Sequence, residues 1–167
     1  MKEGNIMRKA LIFLAGLLII AGCAKKQIIK PTIVEQVQAP VSKEEPSVRY
    51  TDWTAVPQLA PVHFDYDKFE LRESDLYALK QNAQYLVSNP DIIILVEGHC
   101  DERGTIAYNL ALGQKRAAAV REYYGQLGVA LGRIGTISYG SEKPVNPEHT
   151  EEAWAYNRRA ETKIRNK

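Results

Sequence analysis

The chain has 167 residues, enough for one domain with accessory segments. Charged residues make up 25% and the formal net charge is +2, with no long basic run and no basic–aromatic strip, so its charge points away from nucleic acid. Two cysteines, Cys23 and Cys100, cannot build a disulfide framework.

The N-terminus carries Arg8 and Lys9 and then an apolar run from Ala10 to Gly22. A helix that crosses a bilayer needs about 20 apolar residues, so this shorter run suits the apolar part of a secretory signal. Its end, Ile20-Ala21-Gly22-Cys23, resembles a bacterial lipobox: small residues, then a cysteine that is lipidated and becomes the mature N-terminus. Met7 is a second candidate start, because Met7-Arg8-Lys9 makes a compact basic region. The alternative is an ordinary signal, or an uncleaved anchor, with a chance cysteine. Acyl chains on Cys23 would hold the protein firmly, since each buried CH₂ contributes about 0.8 kcal/mol. Ala24 follows the cysteine, where an aspartate would suggest retention in the inner membrane. The lipobox resemblance therefore implies the outer membrane. Removing residues 1–22 takes out three cations and one anion and leaves a formal charge of zero. Such a chain is no polyelectrolyte binder.

Residues 24–58 scatter Pro, Gln, Lys and Glu with no sustained period and read as an extended tether. Packing of Trp53 and its neighbours on the domain is the alternative. The expected organisation is a signal over 1–22, a lipidated N-terminus and tether over 23–58, and a folded domain over 59–167. Val62-His63-Phe64-Asp65-Tyr66 alternates and reads as a strand. Leu71, Leu76, Leu79, Ala83 and Leu86 recur at near-helical spacing and predict an amphipathic helix over 73–88, stopped by Ser88-Asn89-Pro90-Asp91. Ile92 to Val96 reads as a buried strand, apolar on both faces. Gly104 ends the following loop. Thr105 is a candidate N-cap for a long helix to about Gln126, with Gly128 as its stop signal. Residues 134–139 read as a strand, 151–157 as a short helix and 159–164 as a final strand. The order β-α-β-α-β-α-β predicts a two-layer α/β sandwich. Gly125, Gly128, Gly132 and Gly135 do not form GxGxxG between a strand and a helix, which rules out that nucleotide loop.

Asp101 falls at the carboxyl end of the central strand, where open α/β sheets place ligands. Leu112, Arg116, Val120 and Tyr123 share one helix face. A cation on that face needs a partner, and Asp101 is the expected one. The helix start from Thr105 to Tyr108 adds free N–H groups that favour an anion. Two readings stay open on the residues alone. A buried Asp–Arg pair can brace the strand against the helix. Alternatively, a mouth with a fixed cation and a fixed anion suits a zwitterion, Arg116 forking onto a carboxylate and Asp101 taking an ammonium.

Other groups offer less. His63, His99 and Cys100 lack a recognised zinc spacing. His99 and Cys100 are strand neighbours, so they face opposite ways and make no dyad. Cys100 reads as a small buried hydrophobe. Glu102 and Arg103 read as a solvated or loop-bracing pair. Asn157-Arg158-Arg159 reads as bracing the last strand. Tyr139, Lys143 and Trp154 are candidates for a partner surface, against ordinary packing. A hydrolase would need an activated nucleophile, a metal or spaced carboxylates, and adjacent Asp101 and Glu102 are poorly placed to flank one bond.

From about Val62 to Ile164 the chain resembles the OmpA-like peptidoglycan-binding domain. Phe64-Asp65-Tyr66-Asp67-Lys68 and Glu97-Gly98-His99-Cys100-Asp101-Glu102-Arg103-Gly104-Thr105 carry the resemblance. Tyr108-Asn109-x-x-Leu112-Gly113-x-x-Arg116-Ala117-x-x-Val120 continues it. Ser138-Tyr139-Gly140-x-Glu142-Lys143-Pro144 and Asn157-Arg158-Arg159-Ala160 close it. The resemblance implies an α/β (α+β) two-layer sandwich with a mixed sheet. It implies non-covalent binding of the peptidoglycan stem peptide through meso-diaminopimelate, with no catalysis, cofactor or metal. It implies that Asp101 holds the ammonium of that residue's free end and Arg116 its carboxylate. Asp67, Tyr66 and Leu112 then line the pocket, and Asn109 ties the loop to the helix, a plain surface position being its alternative. Tyr66 stands where relatives often have phenylalanine, and Cys100 where they commonly have alanine. The implied partners are peptidoglycan, the outer membrane through lipid at Cys23, and periplasmic proteins of the Tol system during envelope constriction. The rivals are a wall-acting enzyme and a wall-anchoring part of a motor or secretion complex. Such complexes usually add a membrane helix or further domains, neither of which is evident in the sequence.

Overall fold

Ile92-Ile93-Ile94-Leu95-Val96 lies at the centre of the sheet in the computed structural model, which describes residues 46–166. Cys23, the apolar run and most of the expected tether lie outside the described residues. The elements run β1 (Thr54–Ala55), β2 (Val62–His63), α1 (Glu73–Ser88), β3 (Ile92–His99), α2 (Ile106–Gln126), β4 (Ile134–Gly140), α3 (Glu151–Asn157) and β5 (Arg159–Asn166), with a single 3₁₀ turn before β4. The sheet order is β1-β5-β3-β4, and β2 also pairs with β5. β3 and β4 are parallel, and β5 is antiparallel to β1, β2 and β3, so the sheet is mixed as expected.

Helices α1 and α2 cover one face. Leu79, Ala83 and Leu86 from α1, and Ala117, Val120 and Tyr124 from α2, meet Ile94, Val96 and Ile134 of the strands in one apolar cluster. Side chains alternate along a strand, so Ile94 and Val96 enter this core while Leu95, Glu97 and His99 go to the opposite face. Tyr124 is fully buried, and its hydroxyl meets Asn82 Nδ2 at 3.0 Å and Thr162 Oγ1 at 2.9 Å. A buried hydroxyl without such partners would be costly.

Helix α2 and strand β3 meet at two glycines. A Cβ on Gly98 would overlap the Gly113 carbonyl, so β3 and α2 touch backbone to backbone there. This contact sets the depth at which the first turns of α2 sit beside the end of β3.

Three expected strand ends move by two residues or more. The first strand is only Val62–His63, because the chain turns away once Phe64 N–H has bonded the Arg158 carbonyl at 2.9 Å. The central strand continues to His99, since Gly98 still pairs with Ala160. The last strand continues to Asn166 opposite Ile92. In addition, part of the stretch read as tether is structured. Thr54 and Ala55 pair with Ile164 and Lys163. Asp52 holds Arg165 at 2.7 Å, and Val48 lies against Gly135. This is the packing alternative raised for Trp53 and its neighbours.

Candidate functional site

A cleft of about 300 Å³ opens at the carboxyl end of β3. Its walls come from the turn after β2, the loop after β3, the first half of α2 and the residue after α3. Tyr66, Asp67, Asp101, Asn109, Leu112 and Arg116 all line it, so the structure brings together the six residues singled out for ligand contact.

Arg116 is fully buried. Its expected pairing with Asp101 is not what the structure shows. Nε donates to the Lys68 carbonyl at 2.8 Å, Nη1 to the His99 carbonyl at 2.8 Å and Nη2 to the Asp65 carbonyl at 3.1 Å. The Phe64 ring lies 5.0 Å from the guanidinium carbon. The reason is geometric. The β2–α1 turn and the end of β3 present carbonyls with no strand partner, and a guanidinium is the side chain that can serve three at once. Burial pushes the Arg116 pKa below its ordinary value. These bonds use three of its five N–H groups, and the guanidinium also lies close enough to Cys100 to act on its thiol.

Asp101 is instead held by two other arginines. Arg103 Nη2 reaches Oδ2 at 2.6 Å, and Arg103 Nε and backbone N reach Oδ1 at 3.3 and 3.1 Å. Arg158 Nη1 reaches Oδ2 at 3.2 Å. Burial by itself would raise the Asp101 carboxyl, but the Arg103 and Arg158 hydrogen bonds outweigh it and hold the pKa below the ordinary value. Four donors fill the acceptor capacity of one carboxylate. An incoming ammonium must therefore displace one of them. Arg103 is the mobile candidate: its side chain is 29% exposed against 8% for Arg158.

Arg103 lies between two rings, 4.1 Å from the Tyr66 centroid and 4.2 Å from that of Trp154. It also meets Glu151 at 3.3 Å. Arg103 and Glu102 both brace the loop, through different partners. Glu102 turns the other way, to His149 at 2.7 Å and Trp154 Nε1 at 2.9 Å. Asp67 sits at φ 58°, a left-handed conformation that aims its carboxylate at the Tyr108 hydroxyl. Asn109 Nδ2 donates to the carbonyls of Asp101 at 3.2 Å and Arg103 at 3.1 Å, tying the loop to α2 as expected. Thr105 caps α2, its Oγ1 accepting from Tyr108 N at 3.2 Å. Leu112 supplies apolar wall, and Gly104, at φ 102°, turns the loop.

Arg158 is the residue that sequence reasoning assigned elsewhere. Arg159 does brace the last strand, through Glu161 at 2.6 Å, and Asn157 holds the loop at Val145 and Asn146. Arg158 comes into the site because His63 pairs with Arg159, which sets Phe64 beside Arg158. Nothing local in the sequence announces that register.

No nucleophile is prepared here. Burial pushes the Cys100 thiol up, and its Sγ lies 3.3 Å from the Asn109 carbonyl. Asp101 is saturated with cations and has no spare lone pair for a proton. His63, His99 and Cys100 do not assemble. Among the described residues, the one set of three metal-ligand side chains is Glu97, His99 and Glu161, behind the sheet.

Residues 63–158 match the model of the OmpA family. A peptidoglycan-associated lipoprotein of Haemophilus influenzae is 48% identical over 99 residues, which cover 59% of this chain and 65% of that protein. One from Brucella melitensis is 38% identical over 150 residues, covering 87% of this chain and 84% of its own. The crystal structure of the peptidoglycan-associated lipoprotein from Burkholderia pseudomallei superposes with a TM-score of 0.61 at 48% identity, over 63% of this chain and 89% of that one.

Proposed function

The chain belongs to the OmpA family, and on that premise we propose that it binds peptidoglycan without covalent chemistry and ties the outer membrane to the cell wall. It is a binding module and not an enzyme. The observation that carries this reading is the convergence of two carboxylates, Asp67 and Asp101, and one guanidinium, Arg116, in the lining of one open cleft.

The ligand is the free end of meso-diaminopimelate in the stem peptide, which bears an ammonium and a carboxylate on one carbon. The carboxylate is drawn to the positive charge of Arg116 at the inner wall of the cleft. The ammonium takes Asp101, after Arg103 has swung off. Asp67, Tyr66 and Leu112 hold the side chain between them, and Asn109 keeps the loop in place. Residues 1–22 are a signal, Cys23 carries the lipid, and the chain from 59 to 167 is the wall-binding domain, facing the periplasm. Many such contacts along one polymer hold two surfaces together even where each is weak. Periplasmic proteins of the Tol system are the further partners, in envelope integrity and division.

Sedimentation of the purified chain with diaminopimelate-type peptidoglycan tests the reading. Asp101→Asn should lose about tenfold or more in binding, the range for a hydrogen-bonded charge pair. Equal binding to a wall whose stem peptide has lysine in place of diaminopimelate would sink it.

A further inference from the structure

Behind the sheet, on the face away from the helices, Glu97 of β3 stands in register opposite Glu161 of β5. His99 lies two residues on, on the same face. His99 is 1% exposed and Glu97 3% exposed. Neither ring nitrogen of His99 has a hydrogen-bond partner, and both are buried. Nε2 lies 3.7 Å from Glu97 Oε2. The Tyr139 ring stacks on the imidazole with centroids 5.7 Å apart, offering it no polar atom through that face. An unsatisfied buried polar group is costly, and an imidazole lone pair is used only by a proton donor or a metal ion.

One ligand atom from each of Glu97, His99 and Glu161 lies within 4.8 Å of the other two. We propose that these three side chains form a site for a divalent transition-metal ion, separate from the wall-binding cleft. One imidazole and two carboxylates are the donor types that zinc accepts, with water as a fourth ligand. Calcium and magnesium prefer all-oxygen shells and would leave the imidazole unused.

Lys163 now stands where the ion would sit. Its Nζ lies 2.7 Å from Glu97 Oε2 and 3.8 Å from Glu161 Oε2. A single ammonium thus spans the two carboxylates that an ion would bridge. The Lys163 side chain is 24% exposed, so it has a way out to water. Arg159 stays on Glu161 at 2.6 Å and orients that carboxylate, as a second-layer partner does for a metal ligand.

The test is titration of the full chain, purified in detergent, with Zn²⁺ by calorimetry and with Co²⁺ by visible absorption. One equivalent should bind, and bound Co²⁺ should show the intense bands of a four-coordinate ion. Glu161→Gln and His99→Gln should each weaken binding about tenfold or more. Lys163→Met should strengthen it, because no ammonium competes. His149→Ala and Cys100→Ala, which change other metal-binding side chains, should leave it unaltered. Glu161 lies at the edge of the cluster, so its variant keeps the test open if His99→Gln does not fold. The proposal is overturned if neither the chain nor Lys163→Met binds, if Glu161→Gln binds as well as the parent, or if binding goes with His149 or Cys100.

Discussion

Arg158 reaches the Asp101 carboxylate at 3.2 Å across 57 residues of sequence. The same guanidinium donates to the Phe64 carbonyl at 3.1 Å through Nε and meets Glu151 at 2.9 Å. One buried arginine therefore joins the turn after β2, the loop after β3 and the start of α3. Replacing it with methionine keeps the apolar stem and removes the charge. Arg158→Met should cost about 1.5–3 kcal/mol, the range for hydrogen bonds to a charged group, read by urea unfolding. The Asp101 carboxyl should titrate at higher pH in the variant, read by NMR. An unchanged Asp101 titration would mean that Arg103 alone sets it.

Arg103 differs in kind. It is partly exposed, and Arg158 still holds Asp101 when Arg103 is gone. Arg103→Ala should lose no more than about 1 kcal/mol of stability, as for a surface pair. Binding of a diaminopimelate-containing peptide should tighten severalfold, because the ligand ammonium no longer displaces a guanidinium. Weaker binding, measured by calorimetry, would make Arg103 a ligand contact and not a competitor.

The Asp101 carboxyl titrates below its ordinary value of 3.8 in the folded chain. Its stabilising contribution is therefore complete above that value. It is lost as pH falls through the lower folded value, because the unfolded chain takes up the proton first. Unfolding free energies compared with Asp101→Asn should differ at neutral pH and converge in strong acid. Parallel curves down to about pH 2 would show that the arginines do not hold the carboxylate ionised.

Gly98→Ala puts a methyl group into the Gly113 carbonyl. Neither backbone can yield without moving α2 off the sheet, so the variant should lose about 3 kcal/mol or more, at the upper end of overpacking. Because α2 carries Leu112 and Arg116, wall binding should fall along with stability. A variant with native stability by chemical unfolding would mean that α2 is free to shift.

What could be read from the chain was what each stretch decides by itself. The spacing of Leu79, Ala83 and Leu86, the Thr105 cap and the glycine at 128 are local signals, and helices α1 and α2 stand where these signals put them. The set of six cleft residues was legible from the motifs that carry the family resemblance. The partners of Arg116 were not. They are backbone carbonyls, which every residue possesses, so no residue type marks Lys68, Asp65 or His99 as acceptors. Arg158 was missed for a related reason: its place follows from the β2–β5 register, a pairing across about a hundred residues that no short pattern encodes. Thr54 and Ala55 resembled the rest of the tether because a two-residue strand is too short to show alternation.

That short edge strand has a mechanical consequence. If the chain ahead of Pro46 is the proposed tether, tension between it and a ligand in the cleft would arrive first at the Thr54–Ala55 ladder and the Asp52–Arg165 pair. These contacts are few and peripheral, whereas the cleft is bolted to the core through Arg116 and Arg158. The strap should peel before the domain yields, and extended chain pays out at up to about 3.3–3.6 Å per residue. In the proposed tether, residues 46–58 would lengthen the linkage under strain and re-seal when the strain is released.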